Sequence, residues 1–307
     1  MATTPTPLHR IEYAALRTIT GLLAPFGARR AGAIAGAITR LGYSPLRIRR
    51  GVTERQIAAA FPQFDAATVR SVAIESYDSL GRVAIEATVL SRGTKNDVLA
   101  LFVPSPDFAL IQRAYAGGKG VILLSGHVGN WELSAAYMTA NGLPVDAIAR
   151  GMANPLSDSY IRRTRERLGV VIMHDKEAVR RVPRSLRDGR LVGVLSDQAT
   201  VGLASTFVPF FGRPAKTPRG GAVFALRAGV PVICIAAIRQ ADGRYQFKAE
   251  EIEVLHTGDR EHDVDEIMIK FTAILERTVR EHPGQYFWQH RRWKHQPPDT
   301  PAELREP

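Results

Sequence analysis

One stretch combines residue types able to do acid–base chemistry: Val121-Ile-Leu-Leu-Ser-Gly-His-Val-Gly-Asn-Trp-Glu132, in which a carboxylate follows a histidine by five positions. A histidine can take a proton from a hydroxyl, and a carboxylate can orient the imidazole and raise its basicity. On a straight helix the two side chains would point about 140° apart. Pairing them therefore needs His127 on a turn and Glu132 in the first turns of the helix that follows. Residues 121–124 form an apolar run bounded by Gly120 and Ser125-Gly126, the pattern of a buried parallel strand. Asn130 is a good N-cap for a helix over 131–138. The amides of Gly129 and Asn130, at that helix N-terminus, are candidate donors to an oxyanion. Spacing alone fits equally well a stray histidine at a strand end and a solvated glutamate.

The elements that must position these groups alternate along the chain. Strands are expected at 120–125, 145–150, 170–173, 191–196, 206–210, 231–238 and 244–250, and helices at 105–116, 130–141, 155–168, 176–188, 217–228 and 263–281. That order predicts an α/β fold, a mostly parallel central sheet flanked by helices, with its site beyond the carboxyl ends of the strands. His127 and Asp197 both fall there. Helices at 8–24, 28–42, 46–60 and 66–92 precede the alternation. The chain thus divides into an N-terminal helical region (1–95), an α/β domain (96–295) and a proline-rich tail (296–307) expected to be disordered.

Forty-one basic residues oppose thirty acidic ones, a net charge of +11. The excess is concentrated: residues 1–60 hold nine arginines against two glutamates, and residues 150–190 hold eleven basic against five acidic residues. Such a balance suits an anionic membrane face, a phosphorylated substrate or nucleic acid. No helix-turn-helix, RNA-binding sheet motif or zinc finger supports the last of these. The longest uncharged runs near the N-terminus are eleven and nine residues, against about 20 needed to cross a bilayer. Helices 8–24 and 28–42 are read as interfacial, peripheral or monotopic, with arginines turned to anionic headgroups. The competing arrangement is an Ala-rich hairpin packed on the domain.

Several chemistries are set aside. Cys234, the single cysteine, lies in the apolar run 230–238 and reads as a small buried residue. His256 and His262-Asp263 lack a regularly spaced third ligand, so no metal is expected. Gly117-Gly118-Lys119-Gly120 is not followed by Ser or Thr and is no P-loop. Without a G-x-S-x-G elbow, an acyl-serine intermediate has no support, and direct attack by an acceptor hydroxyl is simpler.

The stretch Gly126-His127-Val128-Gly129-Asn130-Trp131-Glu132 resembles the H-x4-D/E motif of the glycerolipid acyltransferase superfamily. Its surroundings are similar to the bacterial branch containing the late lipid A acyltransferases and the phosphatidylinositol mannoside acyltransferases. The likeness continues through Ala60-Phe61-Pro62, Gly81-Arg82-Val83-Ala84-Ile85-Glu86, Asn154-Pro155-Leu156-Ser157-Asp158 and Arg165-Glu166-Arg167-Leu168-Gly169. It extends through Leu195-Ser196-Asp197-Gln198, Phe207-Val208-Pro209-Phe210-Phe211-Gly212 and the run from Pro283 to Lys294. Many such relatives carry an N-terminal spanning helix, from which this chain departs.

The resemblance implies a membrane-associated O-acyltransferase at the cytoplasmic face of the inner membrane. It would move an acyl chain from acyl carrier protein or acyl-CoA, with no further cofactor, to a glycolipid hydroxyl of the lipid A type. Another lipid acceptor (a phosphatidylinositol mannoside, an ornithine lipid or a lysophospholipid) and a non-catalytic lipid-binding module are the alternatives. It implies His127 as base with Glu132 orienting it, Arg165 countering charge or gripping a phosphate, and Asp197 holding Arg165 or touching the acceptor. Phe207, Val208, Phe210 and Phe211 would line the acyl tunnel or form aromatic core. Thr217-Pro218 reads as an N-cap with proline at the first helical position, presenting an anion site helped by Arg219 and Lys216. Tyr286, Trp288, Trp293 and the cations Arg291, Arg292 and Lys294 read as an interfacial belt or as a docked C-terminus.

Overall fold

A strand buried on both faces needs a hydrogen-bonded neighbour on each edge and helices above and below, and residues 121–125 obtain all four. The computed structural model describes residues 4–199, 202 and 204–307. It begins with α1 (Pro7–Leu23), α2 (Gly27–Tyr43), α3 (Arg50–Ala60) and α4 (Ala66–Leu90). A short α5 (Lys95–Ala100), β1 (Phe102–Val103) and α6 (Phe108–Ala116) lead into β2 (Val121–Ser125), α7 (Trp131–Ala140) and β3 (Val145–Ala149). Then come α8 (Pro155–Arg167), β4 (Val171–His174), α9 (Ala178–Arg187) and β5 (Leu191–Leu195). The chain continues with β6 (Ser205–Phe210), β7 (Arg213–Pro218), α10 (Gly220–Ala228), β8 (Val232–Arg239), β9 (Tyr245–Ile252) and α11 (Arg260–Glu281).

Seven strands form the central sheet in the order β1-β9-β8-β2-β5-β3-β4. Only the β8–β9 pair is antiparallel, so the sheet is mostly parallel, as the alternation requires. Residues 206–210 do not join it. They pair with β7 in a separate antiparallel hairpin, closed by Phe211 and Gly212 at φ 50° and 70°. Two successive positive φ values are the signature of a tight hairpin loop, and β7 was not expected from the sequence. Its presence corrects the reading of Thr217-Pro218 as a helix start. Both residues belong to β7, and α10 begins at Gly220 after Arg219.

The N-terminal hairpin has two faces. Inward, Ala28, Ala31, Gly32, Ala35 and Gly36 of α2 are buried and let its backbone press on α4. Asp78 of α4 anchors this crossing, binding Arg40 of α2 at 2.8 Å and Arg82 at 2.6 Å. Outward, ten of the fifteen exposed large apolar side chains among the described residues lie between Leu8 and Ile48. No helix among the described residues is long and apolar enough to cross a membrane.

The C-terminal run is not an interfacial belt. Trp288 and Trp293 are fully buried, and Tyr286 and Arg292 nearly so. Each indole finds a carbonyl, Trp288 that of Pro283 at 2.8 Å and Trp293 that of Phe210 at 3.2 Å, as buried indoles require. Phe210 and Phe211 pack with these tryptophans and Phe61. The tail, expected to be disordered, lies along the β6–β7 hairpin, where the Gln296 amide donates to the Pro214 carbonyl and Arg291 pairs with Glu306. Its only regular element among the described residues is a 3-10 turn at Ala302–Leu304, so contact and not secondary structure holds it.

An interior role makes Trp293 a stability residue. Trp293→Ala is expected to cost about 3–5 kcal/mol, read as a lower urea midpoint, and to leave vesicle binding unchanged.

Candidate functional site

The register of the sheet builds the site. β2 and β5 are parallel neighbours with Ser125 opposite Leu195, and neighbouring strands run about 4.8 Å apart. His127 and Asp197, each two residues past its strand, therefore arrive side by side. His127 Nδ1 lies 2.6 Å from Asp197 Oδ1, and the His127 amide donates to Asp197 Oδ2 at 2.9 Å. An ionised carboxylate only accepts, so the ring proton sits on Nδ1 and the Nε2 lone pair is left free. The Asp197 side chain is only 1% exposed. Burial alone would raise its carboxyl, but the positive charge that His127 carries once protonated, together with its hydrogen bonds, outweighs that and holds it at about 2.

This geometry corrects the expected pairing. Glu132 does not orient His127. It takes Arg165 of α8 in a two-pronged ion pair, Nε to Oε2 at 2.8 Å and a terminal nitrogen to Oε1 at 2.6 Å. Arg165 and Asp197, expected to act together, are not bonded to each other: Arg165 has the carboxylate expected of His127, and Asp197 has the imidazole expected of Glu132. The reason is the turn at residues 128–130, which swings the chain off the sheet into α7. Gly129 sits there at φ 62°, where a Cβ would collide with the Ala237 carbonyl. Glu132 in the first turn of α7 then faces α8 instead of the end of β5. The fork-to-fork geometry keeps Arg165 charged despite burial, which by itself lowers its pKa.

The two amides expected to face an oxyanion are engaged. Gly129 donates to the Gln285 carbonyl at 2.9 Å and Asn130 to the Ala237 carbonyl at 2.8 Å. The loop is stitched to the chain on both sides, and neither amide is left over. Thr217 is fully buried, with its hydroxyl accepting from Arg292 at 2.6 Å. Arg219 is bound to Glu261 at 2.7 Å. These two residues build fold contacts and not an open anion site.

His127, Glu132 and Arg165 line a cavity of about 880 Å³, large for a small-molecule site. Its walls are largely apolar, with Leu123, Met138, Ile172, Val194 and Phe224 among them. Phe207, Phe210 and Phe211 do not line it: Phe207 is 45% exposed, and the other two sit in the aromatic core. Trp131 stands edge-on to the His127 ring at 4.8 Å. A further cavity residue went unnoticed in the sequence, His290, whose Nε2 is buried without a hydrogen-bond partner among the described residues. Burial takes its pKa down to about 4, so it is neutral at pH 7 and able to donate one proton. The only signal for it was a histidine beside the aromatic run 286–288. Cys234, buried with its thiol pushed up to about 12, is no nucleophile.

The pairing has measurable consequences. Asp197→Asn should lower kcat by about 10²–10⁴-fold, the scale seen when a histidine loses its orienting carboxylate. Because Asp197 is depressed from 3.8 to about 2 on folding, it adds stability above its unfolded pKa that is lost as pH falls toward 2. The Asn variant should lack that part of the acid transition in urea titrations at pH 2–5. A double-mutant cycle of Glu132→Gln with Arg165→Gln, read in kcat/KM, should show a coupling of about 0.5–3 kcal/mol.

Comparison with known proteins gives this geometry a family. Residues 13–295 match the model of the bacterial lipid A biosynthesis acyltransferases. The chain is similar to the lipid A biosynthesis palmitoleoyltransferase of Escherichia coli (strain K12), 26% identical over 268 residues, 84% of each chain. It is also similar to the lipid A biosynthesis lauroyltransferase of the same strain, 23% identical over 265 residues, 86% of this chain and 85% of the relative. A lipid A biosynthesis acyltransferase of Haemophilus influenzae matches at 25% over 179 residues, 58% of this chain and 55% of the relative. With a cavity-lining histidine bonded to a buried carboxylate and a family match over most of its length, the chain belongs to the bacterial lipid A biosynthesis acyltransferase family, whose members transfer acyl groups.

Proposed function

We propose that this protein transfers a fatty acyl chain from the thioester of acyl carrier protein or CoA to a hydroxyl of a lipid A-type glycolipid, with His127 as general base. The observation that carries this reading is the bond between His127 Nδ1 and Asp197, which leaves Nε2 of a cavity-lining imidazole free to accept a proton. The acceptor oxygen attacks the thioester carbonyl carbon as Nε2 takes its proton. The tetrahedral intermediate collapses with cleavage of the C–S bond, and the imidazolium returns the proton to the leaving thiolate. Arg165 and neutral His290 are the cavity groups suited to the negative charge that develops on the carbonyl oxygen. Asp197 takes the orienting role assigned in sequence to Glu132, and Glu132 fixes Arg165. The apolar walls suit an acyl chain.

The acceptor and donor follow from family kinship, because the relatives are named for lipid A acyl transfer. The membrane part of the reading rests on the N-terminal hairpin. Leu8, Ile11, Leu22 and Phe26 are more than half exposed in a segment rich in arginine. Its inner side touches the start of α8, the helix that carries Arg165: Asn154, the N-cap of α8, bonds the His9 carbonyl and Glu12 of α1. A hairpin lying in the cytoplasmic face of the inner membrane would hold the cavity near its lipid acceptor without spanning the bilayer.

His127→Ala should lower turnover by at least about 10²-fold with the urea transition unchanged, measured by mass spectrometry of acylated lipid A precursor with acyl carrier protein and CoA thioesters as alternative donors. Near-native turnover would end the base assignment. Leu22→Ser with Phe26→Ser should weaken binding to anionic vesicles by about tenfold or more, because each exposed side chain is worth roughly 1.5–3 kcal/mol when buried. Unchanged sedimentation with vesicles would remove the hairpin from the membrane contact.

A further inference from the structure

Behind the turn that presents His127 lies a carboxylate that the chemistry does not use. Glu86 of α4 is fully buried. Its Oε2 accepts from the Asn130 side-chain amide at 2.9 Å and from the Tyr245 hydroxyl at 2.6 Å, while Oε1 has no hydrogen-bond partner. A buried carboxylate without a cation bonded to it is costly, and burial pushes this one up to about 7 against the weaker pull of Tyr245, Arg82 and Asn130. An apolar side chain would fill the same space at lower cost, so the retained oxygen points to a task.

Asn130 shows what that task is. Its side-chain oxygen caps α7 by accepting from the Leu133 amide at 3.1 Å. Its backbone amide bonds Ala237, and its side-chain nitrogen has Glu86. Three bonds in three directions fix one residue between His127 and Glu132. Glu86 is itself fixed from the outside. The backbone of Gly32 in α2 lies against it, and a Cβ at Gly32 would overlap Oε1. The hairpin helix, the spine helix α4 and the catalytic turn thus meet through one carboxylate.

We propose that Glu86 is a positioning residue: through Asn130 it holds the turn that carries His127 and the start of α7 that carries Glu132, and the close seating of Gly32 holds Glu86 in place. This rests on the reading of His127 as the base. An error of about 1 Å in a catalytic group is enough to cost about 10²-fold in rate. The consequence is specific, because the turn orients the base without touching the apolar walls that bind the chain.

Three single variants disturb the same bond from different sides. Asn130→Asp keeps the cap on Leu133 but sets a second carboxylate against Glu86. Gly32→Ala drives a methyl into the space of Oε1. Glu86→Ala removes the acceptor. Full-length purified protein is assayed in mixed micelles with acyl-CoA or acyl carrier protein thioester and lipid A precursor, with urea midpoints and the ¹⁵N signals of the His127 imidazole recorded in parallel. Each folded variant is expected to lose about 10–100-fold in kcat with KM for both substrates unchanged, and to shift the His127 signals. Glu86→Gln added to Asn130→Asp should recover most of the loss, since the new amide donates where Glu86 accepted. His127→Ala separates the two readings. If it stays active, the base assignment fails and the positioning role falls with it. If it is inactive while folded Asn130→Asp and Gly32→Ala turn over within about twofold of the unsubstituted chain, the positioning role alone is overturned. Losses of kcat that track the urea midpoint, with unshifted His127 signals, would assign Glu86 to fold stability and overturn it as well.

Discussion

The in-register parallel pairing of β2 with β5 is the constraint from which the site follows. Ser125 faces Leu195, so equal extensions past the two strand ends bring an imidazole and a carboxylate within a hydrogen bond. The pairing tolerates no slip, because every residue of β2 is buried and a one-residue shift would turn its side chains to the wrong faces. The distance between His127 and Asp197 is in this way set by the packing of apolar strands. The two bonds from Asp197, one to the ring and one to the amide of His127, then fix the ring's tautomer and direction together.

Around that pair the protein separates polar work from apolar work. Several charged groups near the cavity are held by fixed partners: Asp197 by His127, Glu132 by Arg165, Arg292 by the Lys216 carbonyl and the Thr217 hydroxyl. Such pairs are weak contributors to stability once desolvation is counted, but breaking one leaves a buried charge alone. Their value lies in fixed direction. The cavity walls are left to aliphatic side chains, which bind a chain by area and not by direction.

The two termini enclose this arrangement. The hairpin of α1 and α2 presents small residues inward and large apolar ones outward, so it serves both as part of the packed domain and as an exposed apolar face. Of the two arrangements posed in the sequence, the inner side is the packed hairpin, and the outer side is the face that the proposed membrane contact would use. The C-terminal run supplies the other closure. The Phe287 amide bonds the His127 carbonyl at 3.0 Å and the Gln285 carbonyl takes the Gly129 amide. Residues more than 150 positions apart thereby stitch the turn that carries His127 in place.

Local chemistry was legible in the sequence wherever it depends on neighbours along the chain. The apolar run ending at Ser125, the cap at Asn130, the helix at α8 and the lengths of α1 and α2 all follow from periodicity and end signals. His127 and Glu132 stood out by type and spacing and Asp197 by its place at a strand end, whereas Arg165 was singled out by the family resemblance. Which of them touch was not legible. Spacing put His127 with Glu132 because only five residues separate them, whereas strand register put it with Asp197, seventy residues away. The hairpin β6–β7, the burial of the terminal tryptophans and the cavity position of His290 were hidden for the same reason. An aromatic or a proline looks alike in sequence whether it meets solvent, lipid or core, and only the packing of distant segments decides which.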